Sequence, residues 1–343
     1  MAHSIELGLH TFGDITLGVD GGPLSHARVI RDVIDEAVLA DEVGVDCFGI
    51  GEHHRADFAV SSPEVVLAAV AGRTRRIRLG SATTVLSTDD PVRVFQRFAT
   101  LDAAADGRAE IILGRGWFTE SFRLFGYEMS DYDALFEEKL GLFAALTRQR
   151  AVTWHGKFRP ALTSQTVFPP LEHGVLRTWV AVGATPESVL RAARHGLPLM
   201  IAVIGGEPKR FKPFVELYRT TLEKLGRPKL AIGVHSAGHV ADTDARAREE
   251  FWAAYKPYRD RIGVERGWPP IEHAQFDVEV DRGSLYVGAP ETVARKIAVT
   301  VRELGISRFD LKFSAGTLAH ETLMHSISLY GTVVIPLVRD MLS

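Results

Sequence analysis

Gly44-Val45-Asp46-Cys47-Phe48-Gly49-Ile50-Gly51-Glu52-His53-His54-Arg55 holds one structural unit in a single stretch. Gly44 closes a segment of helical period, a short apolar run predicts a strand over 46–51, and a polar cluster follows at once. In the preceding segment, 25–43, Val29, Ile30, Val33, Ile34, Ala37 and Val38 share one face. Glycine is the residue that best accepts the turn after such a helix. The strand is mostly apolar on both faces, as a buried parallel strand should be.

Working outward, the same alternation recurs along the chain. Strands are expected at 5–11, 46–51, 77–85, 109–113, 178–182, 197–203, 230–240 and 308–313. Between them lie helical segments. Ser62-Pro63, Asp90-Pro91 and Thr185-Pro186 each set a capping side chain before proline at a first helical position. Further helices are expected near 132–147, 208–224, 242–260, 290–304 and 320–341. Eight strands joined by helical crossovers predict an α/β fold, a closed (β/α)8 TIM barrel with insertions. A doubly wound open sheet is the alternative, but no dinucleotide fingerprint supports it. Residues 114–130, 150–177 and 262–287 fall outside the minimal repeat. Only the first of these directly follows a strand, so it is the one expected to shape a pocket.

At 343 residues, length alone suggests two domains, whereas a barrel of roughly 250 residues with insertions makes the whole span 1–343 one domain. With 40 Lys+Arg against 43 Asp+Glu the net charge is −3, which gives no bulk field to gather nucleic acid or anionic lipid. The one cysteine, Cys47, excludes an intrachain disulfide and a thiolate cluster, and reads as a small core residue. No apolar run is expected to reach the ~18 residues of a membrane span. The first residues lack a secretory pattern. A cytoplasmic protein is the expectation.

The polar cluster Glu52-His53-His54-Arg55 sits at a strand's carboxyl end, where barrels carry their chemistry. Burying it unpaired costs several kcal/mol, so it either lines a wet pocket, with imidazole as acid or base, or forms a salt-bridged rim. His10, His235 and His239 allow a histidine-lined metal site, but their spacing lacks a His-x-His or a helical pair. Hydrogen-bonded histidines are the plainer reading, and no metal is expected. Lys312 lies where a Schiff-base lysine would sit, and neutralisation by a carboxylate is the simpler role. Two anion-binding patterns appear, Gly183-Ala184-Thr185-Pro186-Glu187-Ser188 and Gly288-Ala289-Pro290-Glu291-Thr292. In each, glycine lets a ligand approach the backbone at a helix start, and the residues alone do not choose between them. Arg115, between Gly114 and Gly116, is placed to fork onto a phosphate or carbonyl. Trp117 and Phe118 would wall a flat ring or pack beneath the loop.

These residues, with Asp90-Pro91-Val92-Arg93, Asp106-Gly107-Arg108, Gly114-Arg115-Gly116 and Gly196-Leu197-Pro198, make the chain resemble the bacterial-luciferase-like flavin-dependent monooxygenases over nearly its whole length. The resemblance implies a luciferase-like TIM barrel that binds reduced FMN or the deazaflavin F420. It implies that Glu52 stands beside the flavin, that His53 is catalytic, and that Ala82 and Thr83 form a non-proline cis peptide against the ring. It implies that Arg115 holds the phosphate with Gly183, Ala184, Thr185 and Ser188, which favours the first anion pattern and leaves 288–291 as a structural helix start. It further implies O2 and a small organic substrate, a separate NAD(P)H:flavin reductase, and a homodimer. Three departures stand out: Gly114 replaces a reactive cysteine, Asp133 replaces a basic residue near the phosphate, and Ala105 replaces a serine. Light emission from a long-chain aldehyde is therefore not implied. An F420-dependent oxidoreductase and a non-catalytic flavin-binding protein are the alternatives.

Overall fold

The computed structural model describes residues 5–18, 21–148, 150–183 and 185–343. Its centre is a closed ring of parallel strands: β1 (Glu6–Thr11), β2 (Cys47–Ile50), β3 (Arg78–Val85), β4 (Ala109–Gly114), β5 (Arg177–Val182), β6 (Leu199–Ala202), β7 (Ile232–Val240) and β8 (Arg308–Lys312). The ring closes where Glu6 pairs with Arg308 and His10 with Lys312, and again where Leu199 pairs with Ile232. All eight strands lie within two or three residues of their expected bounds. Their apolar side chains are buried on both faces, between the barrel interior and the covering helices.

The helices cover the ring. Asp90 accepts from the N–H groups of Val92 and Arg93, as a cap should. Ser62 makes no such bond, and the Thr185 hydroxyl turns instead to Ser188, so two of the three expected caps are proline starts without a side-chain cap. The run His320–Leu342 is long and apolar enough to cross a membrane, against the expectation from sequence. It packs on helices His26–Glu42 and Pro290–Leu304, with 44% of its apolar window buried.

Two insertions take their own form. Ala151–Trp154 and Leu162–Thr166 make an antiparallel hairpin outside the barrel. The helix Asp244–Arg266 runs well past its expected end, and a further helix follows at His273–Asp281.

The barrel interior begins with charge. Arg308, fully buried, lies 2.7 Å from Glu110 Oε1 and 2.8 Å from Asp310 Oδ2, over the Trp179 ring. Burial alone would push both carboxyls up, but Arg308 outweighs it and holds both below their ordinary range. Ala82, Ile112, Trp179 and Met200 form a small apolar cluster of their own. Gly49 makes room beside it, because a Cβ there would meet His10 Cδ2 at 2.5 Å and Ala82 Cβ at 2.9 Å.

Candidate active site

A cavity of about 370 Å³ is bounded by carboxyl-end residues of the strands and by the loops that follow them. Glu52, His53, Ala82, Thr83, Arg115 and Gly183 all line it. The chain thus brings together residues from four separate strand ends that the sequence singled out. Ala184 lies outside the described residues.

Glu52 is a clamp. Its N–H donates to the Thr83 carbonyl at 3.1 Å, its Oε2 accepts the Val85 N–H at 2.8 Å, and its Oε1 faces His54 Nε2 at 2.9 Å. It therefore ties the end of β2 to the end of β3, where the Ala82–Thr83 peptide is cis and the pairing with β4 shifts register. His53 stands beyond the clamp, its N–H on the Val60 carbonyl and its ring among Phe12, Phe58 and Phe118. Burial pushes the imidazole down to about 3, so it is neutral at pH 7. Its Nδ1 is buried without a well-formed hydrogen bond among the described residues. A buried polar atom without a well-formed bond calls for a structural or functional explanation, and the Gly51 backbone is the nearest partner the His53 ring has.

A hydroxyl and guanidinium cluster adjoins the cavity: Arg115 lines it, while Thr185 and Ser188 stand behind that wall. Arg115 Nη2 donates to Ser188 Oγ at 3.1 Å, and the Ser188 and Thr185 hydroxyls lie 2.8 Å apart at the start of helix Pro186–His195. A Cβ at Gly183 would meet nothing within 4 Å, so the approach to this helix start is open. Asp133 takes the other arm of Arg115 at 2.8 Å and also lies 3.4 Å from Arg191, a buried cation the sequence reading missed. Arg191 is held by Glu137 at 2.6 Å. This donor set, two guanidinium groups, two hydroxyls and a helix start, fits a phosphate.

The second anion pattern is already filled. Asp244 accepts from the Ala289 N–H at 2.7 Å and from the Thr292 hydroxyl at 3.1 Å, so a side-chain carboxylate satisfies that helix start. The histidines weighed as metal ligands separate: His239 turns to Glu250 at 2.8 Å, while His10 and His235 meet Nδ1 to Nδ1 at 2.8 Å. Lys312 is paired with Asp14 at 3.2 Å and donates to the Ser314 carbonyl. Cys47 is fully buried.

The stretch 262–287, given no pocket role by sequence, supplies Ile262, Trp268, Ser284 and Leu285 to the cavity wall, and the longer preceding helix adds Tyr255 and Tyr258. Trp117 and Phe118 line the cavity as well, each under an arginine: Arg266 on Trp117 and Arg55 on Phe118. Arg55 also binds Asp57, Glu120 and Glu265, so the rim reading of that residue holds alongside the pocket reading of its neighbours.

The family model for luciferase-like monooxygenases matches residues 10–308. The chain belongs to that family. Among these luciferase-like monooxygenases, the alkanal monooxygenase alpha chain of Photorhabdus luminescens is 26% identical, covering 96% of this chain and 97% of its own. Monooxygenase RslO1 from Streptomyces bottropensis superposes with a TM-score of 0.84 at 24% identity, covering 97% of this chain and 99% of its own. The oxygenating constituent of 3,6-diketocamphane monooxygenase from Pseudomonas putida, solved with FMN, superposes with a TM-score of 0.78 at 19% identity, covering 97% and 98%. Both superpositions show the luciferase-like barrel.

Proposed function

We propose that this luciferase-like monooxygenase uses reduced FMN and O2 to oxygenate a small organic substrate, with the flavin supplied by a separate NAD(P)H:flavin reductase. One observation carries the reading: Arg115, which donates to Ser188 of the Ser188–Thr185 hydroxyl pair, and the Glu52-clamped Ala82–Thr83 peptide line the same cavity. Arg115, Ser188, Thr185 and the backbone at Gly183 would hold the phosphate. Ala82, Thr83 and Glu52 would meet the ring. When bound, reduced flavin supplies the electrons that activate O2.

The chain's own residues do the remaining work. Aromatic walls keep water from the reacting groups. Glu52 fixes the backbone of β3 under the ring site. His53, held neutral by burial, holds or moves a proton there. The protein would act in the cytoplasm, and a homodimer formed through the helix Pro63–Ala71, whose Val65 is 66% exposed, fits the same reading.

A second reading, hydride chemistry with F420, is favoured by Asp133. A carboxylate beside the phosphate contacts penalises a phosphomonoester dianion more than the single charge of a phosphodiester. Anaerobic titration with reduced FMN and with reduced F420, followed by oxygen uptake with a substrate panel, tests both. Tighter FMN binding with substrate-dependent oxygen uptake supports the monooxygenase. F420 reduction by a substrate without oxygen uptake replaces it.

A further inference from the structure

Part of the cavity wall is not used in that mechanism. His235, on β7, lines the cavity, and among the described residues its Nε2 takes no hydrogen bond. Its Nδ1 lies 2.8 Å from Nδ1 of His10, which is itself 1% exposed. Nε2 of His10 lies 3.1 Å from Asp310 Oδ2, close but off the N–H axis. Strand register makes this line: His10 pairs with Lys312, and Asp310 pairs with His235.

The tautomers follow from the neighbours. Asp310 is the acceptor nearest His10 Nε2, so that nitrogen carries the hydrogen and His10 Nδ1 is left as an acceptor. His235 must then donate from Nδ1, which leaves the lone pair of its Nε2 facing the cavity. Burial makes a charge on His235 itself unfavourable and pushes it down to about 3, with His10 and Lys312 acting in the same direction and Asp310 opposing. A proton need not stay there.

We propose that Asp310, His10 and His235 form a proton relay whose working end, His235 Nε2, deprotonates the hydroxyl of a flat, largely apolar substrate, a phenol or an enol. The substrate O–H bond breaks as the Nε2–H bond forms. The hydrogen on His235 Nδ1 passes to His10 Nδ1, so the positive charge comes to rest on His10 beside Asp310. The electron pair left on the substrate oxygen enriches the adjoining carbon, which suits it to electrophilic oxygenation. Phe12, Phe118, Tyr258 and Trp268 supply the flat apolar walls such a molecule needs. The inference rests on the monooxygenase reading for what happens after deprotonation, but not for the deprotonation itself.

The test uses flavin-free protein and 4-nitrophenol, buffered below the phenol's solution pKa. Wild type should generate the yellow phenolate band on binding. In His235→Phe and in the milder His235→Gln, the phenolate fraction should fall at least about tenfold, one pKa unit, while equilibrium dialysis still finds bound phenol. His10→Leu, which leaves His235 in place but removes the station that takes the charge, should lower the band as well. In wild type, nitrogen-15 imidazole shifts should show His235 Nε2 unprotonated at pH 8. No phenolate band with wild type, an equal band in both His235 variants, or a protonated Nε2 at pH 8 overturns the relay. Failure of reduced FMN to bind, with the phenolate band intact, overturns the monooxygenase reading and leaves the relay standing.

Discussion

Asp133 lies 2.8 Å from the guanidinium of Arg115, on the group best placed to grip a phosphate. The carboxylate is 66% exposed, so solvent screens it and the effect on ligands is modest. Asp133→Asn should tighten reduced FMN by about two- to fivefold, a fraction of 1 kcal/mol. Arg115→Ala should weaken it by at least about tenfold, as loss of a charge-assisted contact does. Anaerobic fluorescence titration reads both. Equal affinities in wild type and Asp133→Asn would remove Asp133 from the phosphate site.

His53→Ala should leave flavin binding within about twofold while slowing oxygen transfer by roughly 10²-fold, the usual worth of a positioned proton carrier. Single-turnover product formation beside a binding titration separates the two effects. Unchanged turnover would take His53 out of the mechanism.

A Cβ at Gly114 would meet Thr83 Oγ1 at 2.6 Å, so a larger residue there requires Thr83 to move. Gly114→Ala should displace Thr83 from the cavity wall, costing about 1–3 kcal/mol of stability by overpacking and weakening flavin binding. The double variant Gly114→Ala/Thr83→Ala should recover most of that stability in urea unfolding. A single variant as stable as wild type would show that the close approach is easily relieved.

Acid should destabilise the fold in a defined window. The native pKa of His53 lies near 3, below the ordinary 6.5, so between those values the unfolded chain binds a proton the native chain refuses. Its contribution is complete above pH 6.5 and is lost as pH falls toward 3, on the order of a few kcal/mol. Asp310 and Glu110, held below their ordinary range, lose their contributions at the acid end of the same descent. Urea midpoints measured from pH 7 to pH 3 should fall throughout, and His53→Asn should fall less steeply between 6.5 and 4. An identical slope in the variant would show that His53 is not held neutral by the fold.

The barrel was legible because its strands are short apolar runs covered on both faces, which is the simplest pattern a sequence can carry. Ala151–Trp154 and Leu162–Thr166 were not, since that hairpin is largely exposed and mixed in polarity. Glu52, His53 and Arg115 could be found because each sits at a strand's carboxyl end among residues unsuited to a core. Arg191 sits inside a helix with no local mark of function. His10 and His235 were visible as histidines but not as partners: they are 225 residues apart, and only ring closure sets β1 and β7 on either side of β8.

Phe12 packs against two of the imidazoles that line the cavity, its ring centroid 4.5 Å from that of His53 and 6.1 Å from that of His235. A benzene ring neither gives nor takes a proton. It acts as an insulator where it touches each of them, so acid–base traffic at one has no path to the other through this ring. Each imidazole can then hold its own protonation state within a single chamber. Replacing Phe12 by a residue small enough to admit a water would join the two circuits.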